Sequence, residues 1–220
     1  MLKCIQSVIG GKVRIDSAKE FVSWVTDSRT HILSILAIFE QYPLLTTRKK
    51  CQLSFMKQCL HTNDVAWYLQ YRDYKYHHVY IPTTTEDFKQ LSRAEPFFAK
   101  GHSPSAKFFP YFGAWLSGFI EAEGCFTLRE NSSRVLSFSI SQNTDNHLLC
   151  YIAFYLGIPT LPHLVKSNNN VPFYTLETSN ISALINICNH LNTFPLMGAK
   201  KDSFNIFVHK LCNKDKPLRN

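Results

Sequence analysis

Between residues 112 and 123, Phe112, Leu116, Phe119 and Ile120 recur at helical spacing, and the pattern predicts a helix over roughly 108–123. After Gly124 the period changes from about four to two. "CFTLRE" (125–130) and "RVLSFSISQ" (134–142) alternate apolar and polar positions as strands do, joined by the turn-like "NSS". Thr144 or Asp145 can cap a following helix that ends at Gly157. Residues 162–167 and 171–177 read as a second hairpin around "SNNN". Ser179 or Asn180 caps the next helix, which runs to about Asn192, and a last helix covers roughly 199–212. The order αββαββα predicts an α+β domain, with helices packed on one face of an antiparallel sheet.

Much of this pattern occurs twice. "FVSWVTDSRTHILSILAIFEQYPLLTTRKKCQLSFM" (21–56) aligns without a gap to "FYTLETSNISALINICNHLNTFPLMGAKKDSFNIFV" (173–208), at a constant offset of 152. Phe21 meets Phe173, Leu33 meets Ile185, Pro43 meets Pro195, and Arg48 and Lys49 meet Lys200 and Lys201. Upstream, "LKCIQSVIGG" (2–11) is similar to "LCYIAFYLGI" (149–158). Two blocks in the same order indicate a duplicated domain. Met1 aligns near Leu148, so the first copy is expected to lack the counterpart of 108–147. The expected division is a partial domain at 1–60, a joining segment at 61–107 and a complete domain at 108–220. The joining segment carries an aromatic and basic cluster, "WYLQYRDYKYHHVYIP" (67–82).

Composition narrows the class. With 45% hydrophobic residues the chain has enough apolar content for packed domains, which argues against disorder. A net charge of +8 fits a polyanionic partner such as nucleic acid. The seven cysteines are odd in number and none shows zinc-like spacing, as expected for free thiols in a reducing compartment. The longest nearly apolar run, "ILSILAIF" (32–39), is too short to cross a bilayer, so no membrane partner is expected. The first fifteen residues contain no acid, a transit-peptide trait that the repeat explains better.

The end of the 112–123 helix raises a problem of charge. Its C-terminus already carries partial negative charge, yet Glu121 and Glu123 stand there. Glu123 lies seven residues after Leu116 and is expected to continue the apolar stripe. Ala114, Gly118 and Ala122 form a neighbouring strip of small residues, which lets two helices approach closely. Leu116, Gly118, Phe119 and Ala122 are the expected contacts with a second helix. Glu123 needs a positive partner, and a divalent cation such as Mg²⁺, shared with phosphate oxygens, supplies one. Glu121 points to roughly the opposite side and is assigned to helix-end packing or a basic partner.

"LSGFIEAEG" (116–124) resembles the LAGLIDADG signature of homing endonucleases and intron maturases, and "CFTL", "FSISQN", "YLG" and "FPLMGAKK" extend the resemblance over 108–212. It implies that Glu123 binds metal, that Gln142 helps to place water, and that Lys200, or alternatively Lys201, stabilises transition-state charge. Strand alternation puts Phe126, Leu128, Leu136, Phe138 and Ile140 inward. Thr127, Arg129, Ser137, Ser139 and Ser141 then face out, with Arg134 at the start of the strand. This face suits a DNA major groove. His163, Lys166 and asparagines 168–170 add to it, and Lys12 and Arg14 hold the matching place in the first copy.

The resulting expectation is an intron-encoded, metal-dependent endonuclease acting on both strands of a long DNA target. The second acidic helix would come from a segment outside this sequence or from self-association; the third alternative is a decayed remnant, and the chain as written is expected to cleave poorly or not at all. The alternative is a non-catalytic maturase on intron RNA, using the 67–82 cluster for base stacking. Such proteins are often encoded in organelle introns, so a mitochondrion is the expected location, with a chloroplast as alternative.

Overall fold

The computed structural model describes residues 1–16, 21–76, 109–129, 135–165 and 171–213. The described residues form two compact units, Met1–Leu44 and Leu45–Asn220. The expected boundary at residue 60 therefore falls inside a helix of the second unit. Among the described residues, no helix is long and apolar enough to cross a membrane.

The first unit contains α1 (Leu2–Ile9), β1 (Lys12–Asp16), β2 (Phe21–Val25) and α2 (Arg29–Gln41). β1 and β2 pair antiparallel, with Val13 opposite Trp24. The turn between α1 and β1 needs glycine: Gly10 and Gly11 have φ of +76° and +87°. The indole of Trp24 closes over that turn, its Nε1 donating to the Gly10 carbonyl at 2.8 Å. A Cβ on Gly11 would come within 2.6 Å of this ring.

The second unit begins with α3 (Thr47–Thr62) and α4 (Val65–Tyr71). It continues with α5 (Phe112–Glu123), β3 (Gly124–Arg129), β4 (Val135–Asn143), α6 (Asn146–Leu156), β5 (His163–Val165), β6 (Phe173–Thr178), α7 (Ile181–Thr193) and α8 (Lys200–Cys212). Strands β3 to β6 make one antiparallel sheet in the order β3-β4-β6-β5. This is the α+β arrangement expected from the sequence. Its core joins Phe112, Leu116 and Ile120 of α5 to Phe138 and Ile140 of β4 and Ile152 of α6. Leu176 of β6 and Ile187 of α7 complete it.

Several boundaries shift for local reasons. α5 starts at Phe112 rather than near 108, after a turn in which the Phe112 N–H bonds to the Phe109 carbonyl. Asn180 is the cap of α7, its Oδ1 accepting from the Ala183 N–H at 3.0 Å. Gly157, at φ +66°, ends α6. Asp145 starts α6 but does not cap it. Its buried carboxylate accepts instead from the N–H of Thr47 at 3.0 Å, and from the Thr47 hydroxyl, at the start of α3.

The repeat is visible in the elements. α1-β1-β2-α2-α3 follows the same order as α6-β5-β6-α7-α8. α2 and α7 have equal length, and each ends on an aromatic residue with nearly the same backbone: φ −126°, ψ 77° at Tyr42 and φ −123°, ψ 82° at Phe194.

Candidate active site

α5 has two dissimilar faces. One is core: Phe112, Leu116 and Ile120 are fully buried, and Phe112 meets Tyr151 and Tyr155 edge to face at 4.8 and 5.0 Å. Gly113 is buried because the ring of Phe194 lies where a side chain would stand. On the other face Ala114, Gly118 and Ala122 are exposed, and a Cβ on Gly118 would meet nothing within 4 Å. This divides the four expected interface residues. Gly118 and Ala122 lie on the open face. Phe119 is buried against Trp115, with ring centroids 4.9 Å apart. Leu116 is a correction: with no exposed surface it packs into its own core and has nothing to offer a second helix.

Glu123 also departs from expectation. It does not end a buried stripe but is exposed, because Ile120 and the buried Gly124 fill the core side of the last turn. Among the described residues no hydrogen bond or ion pair engages its carboxylate.

Glu121 resolves the other half of the charge problem. Its carboxylate accepts from the N–H groups of Gly198 and Lys200, at 3.0 and 3.1 Å. The C-terminal charge of α5 thus sits on the positive N-terminal end of α8. A Cβ on Gly198 would press on the Glu121 carboxylate, which would have to shift from its two N–H donors.

The same contact aims Lys200. Its Nζ donates to the Gly124 carbonyl at the end of α5, whereas Lys201 is exposed. Gly124 pairs with Ile140, so Gln142 lies two residues beyond, past the end of the β3 ladder. Gln142 is half-buried, and its Oε1 accepts from the Asn143 N–H at 3.0 Å. By backbone register, Glu123 and Gln142 lie at the same end of the sheet, where the Lys200 Nζ meets Gly124. A single exposed carboxylate fits Mg²⁺, which takes oxygen ligands and is commonly held by one or two carboxylates plus phosphates. Among the described residues no cluster of three ligating side chains completes a site.

The outer sheet face is polar as expected, with one exception. Thr127, Ser139 and Ser141 are half-buried, and Ser141 shares a hydrogen bond with Thr175 at 2.8 Å. Ser137 is a correction: it is buried at 4% exposure, at the edge of a hollow lined also by Pro159, Thr160 and His163. His163, Lys12 and Arg14 are exposed, and Arg14 lies 3.7 Å from Asp27. Arg129 is placed by its backbone in β3. Arg134, Lys166 and asparagines 168–170 lie outside the described residues, as does the 77–82 part of the aromatic cluster. Within the described part, Trp67 of α4 stacks on Phe55 of α3 at 5.4 Å.

The roles of Ser117 and Gly198, and the contact of Asp145 with Thr47 in place of a helix cap, were not legible in the sequence. Only Ser117 gave a signal, as a polar residue on an otherwise apolar helix.

A family model described as LAGLIDADG endonuclease matches residues 1–59 and 116–210. The chain belongs to this family. A relative from Debaryomyces hansenii, named probable intron-encoded endonuclease aI3, is 37% identical over 94% of this chain and 32% of its own length. A relative of the same name from Dictyostelium citrinum is 37% identical over 94% of this chain and 76% of its own. The chain thus spans about a third of the first and three quarters of the second. Among solved structures, the LAGLIDADG meganuclease I-CpaMI bound to uncleaved DNA has a TM-score of 0.67 and 20% identity, over 97% of this chain and 76% of that one. I-SmaMI bound to uncleaved DNA with calcium ions has a TM-score of 0.64 and 19% identity, over 97% of this chain and 76% of that one. These two share the LAGLIDADG fold with the present chain.

Proposed function

We propose that this chain is a sequence-specific DNA endonuclease that hydrolyses phosphodiester bonds of a long duplex with the help of a divalent cation, Mg²⁺ or a similar ion. What supports the reading is that Glu123 stands beside Gly124, whose carbonyl accepts from the Lys200 Nζ, and that Gln142 follows two residues after Ile140, the strand partner of Gly124. Glu123 holds the cation. A bound divalent cation supplies an activated water and stabilises charge on the phosphate and leaving oxygens. Gln142 orients water from the end of β4. Lys200, held by its contact with Gly124, stabilises the extra negative charge of the transition state. Thr127, Ser139 and Ser141 face base edges, and Lys12 and Arg14 bind phosphate.

One acidic helix supplies half of a two-strand site. The exposed Ala114, Gly118 and Ala122 face is suited to receive a second such helix, from another copy or from a segment outside this sequence. Encoding by a mitochondrial intron is part of the reading, supported by the intron-encoded names of the yeast and Dictyostelium relatives.

The test is plasmid nicking. A supercoiled plasmid carrying a selected target is expected to be nicked slowly in Mg²⁺ by the chain, and not by Glu123→Gln. Equal nicking by both would overturn the assignment. In the maturase alternative, Glu123→Gln leaves intron splicing intact and the chain nicks no DNA.

A further inference from the structure

Strands β2 and β6 both open on a phenylalanine that turns away from the core side of its strand. In β6, Tyr174 packs against the core and Leu176 and Thr178 are buried, so alternation puts Phe173 and Thr175 on the outer face. Phe173 is paired there with Asn143 of β4 and with Val165 of β5, which is itself exposed. The repeat offset of 152 sets Phe21 on Phe173, Ser23 on Thr175 and Trp24 on the buried Leu176. Trp24 closes over the α1–β1 turn, and Phe21, three residues before it, lies with Ser23 on the opposite face of β2. Phe21 is 68% exposed, and its face also carries the exposed Lys12, Arg14 and Asp16 of β1. An aromatic ring thus recurs at one outer-face position, among hydroxyl groups in one unit and charged groups in the other.

We infer that Phe21 and Phe173 are specificity residues, each reading the 5-methyl group of a thymine in the target's major groove. The inference rests on the DNA reading above, in which the outer sheet face meets base edges. A phenyl ring carries no hydrogen-bonding group, so it gives nothing to phosphates or to the donors and acceptors of guanine, cytosine and adenine. The thymine methyl is the one apolar group that the base edges present in that groove. Contact with it takes apolar surface of both partners out of water, and one methyl group corresponds to about fourfold in affinity. Ser23 and Thr175, two residues along on the same face, are small and leave the rings room to approach a base edge. Lys12 and Arg14 beside Phe21 can hold phosphates while the ring meets the base.

The experiment measures the affinity of the full chain for a duplex selected from a randomised pool, without Mg²⁺ so that cleavage does not intervene. Each thymine of that duplex is replaced in turn by deoxyuridine, which lacks only the methyl group. The wild-type chain is expected to lose about fourfold in affinity at one thymine for each of the two residues. Phe173→Ala removes the sensitivity at one of these thymines and Phe21→Ala at the other. Each variant then binds the unmodified duplex about as weakly as the wild type binds the matching deoxyuridine duplex. A wild type indifferent to every deoxyuridine would overturn the inference without recourse to any variant, and would leave the endonuclease reading intact. So would thymine sensitivities that all persist in both variants, even where affinity falls uniformly, because the rings would then serve packing or unstacking rather than methyl readout. A wild-type chain that selects no sequence would overturn both readings.

Discussion

Ser117 is the residue where the motif helix departs from an all-apolar interior. Its hydroxyl donates to the Phe194 carbonyl at 2.7 Å and lies 3.1 Å from Nε2 of His190. Because the Ser117 proton is committed to Phe194, Nε2 must carry the proton of the second bond. Nδ1 then accepts from the Tyr155 hydroxyl, 3.4 Å away. This arrangement requires a neutral imidazole, and burial pushes the His190 pKa down to about 4. Ser117→Ala leaves two buried groups unsatisfied and is predicted to cost about 2 kcal/mol in urea denaturation. The pH dependence follows from the depressed pKa. The unfolded chain binds a proton near pH 6.5 that the folded chain refuses until about pH 4. His190 thus contributes fully above pH 6.5, and stability falls as the pH drops toward 4, by up to about 3 kcal/mol. Denaturation midpoints between pH 7 and 4 check this, and His190→Gln is expected to flatten the slope. Sequence pattern placed Ser117 on a helix but could not reveal this network, because its partners lie 73 and 77 residues away.

At the scale of elements, the join between α5 and α8 holds Lys200, to which the proposed function gives a catalytic role. Glu121 caps α8, and the cap holds Lys200 beside Gly124. Glu121→Ala is predicted to destabilise the protein by about 1–2 kcal/mol, read by thermal or urea unfolding. It should reduce nicking further than that loss of stability explains, since Lys200 loses its support. Glu121→Gln retains an acceptor and should do less harm. Helices and strands were legible here because periodicity and caps are local: Asn180, Gly157 and the β3–β4 alternation could all be read directly. The burial of Ser137 and the exposure of Glu123 were not. Both depend on how the side chains pack in the folded protein, which alternation and helical spacing alone do not fix. Lys200 and Lys201 were indistinguishable in sequence, and only the contact with Gly124 separates them.

At the scale of the molecule, the repeated element order bears on activity together with α5, which alone among the described residues ends on the paired acids Glu121 and Glu123. The small-residue face of α5 is open, and in the proposed mechanism one carboxylate serves one scissile phosphate. The 220-residue chain is therefore predicted to nick slowly while monomeric, and to break both strands only where a second acidic helix joins it. Cleavage assays run beside sedimentation measurements check this, and robust double-strand cleavage by a monomer would contradict it. The central claim, that Glu123 holds the cation, is tested most directly by titrating Mn²⁺ into the complex of the chain with a selected duplex, followed by electron paramagnetic resonance. One bound ion is predicted for the wild-type complex, and its loss in Glu123→Gln with DNA affinity retained. Equal Mn²⁺ binding by the two complexes would contradict the account.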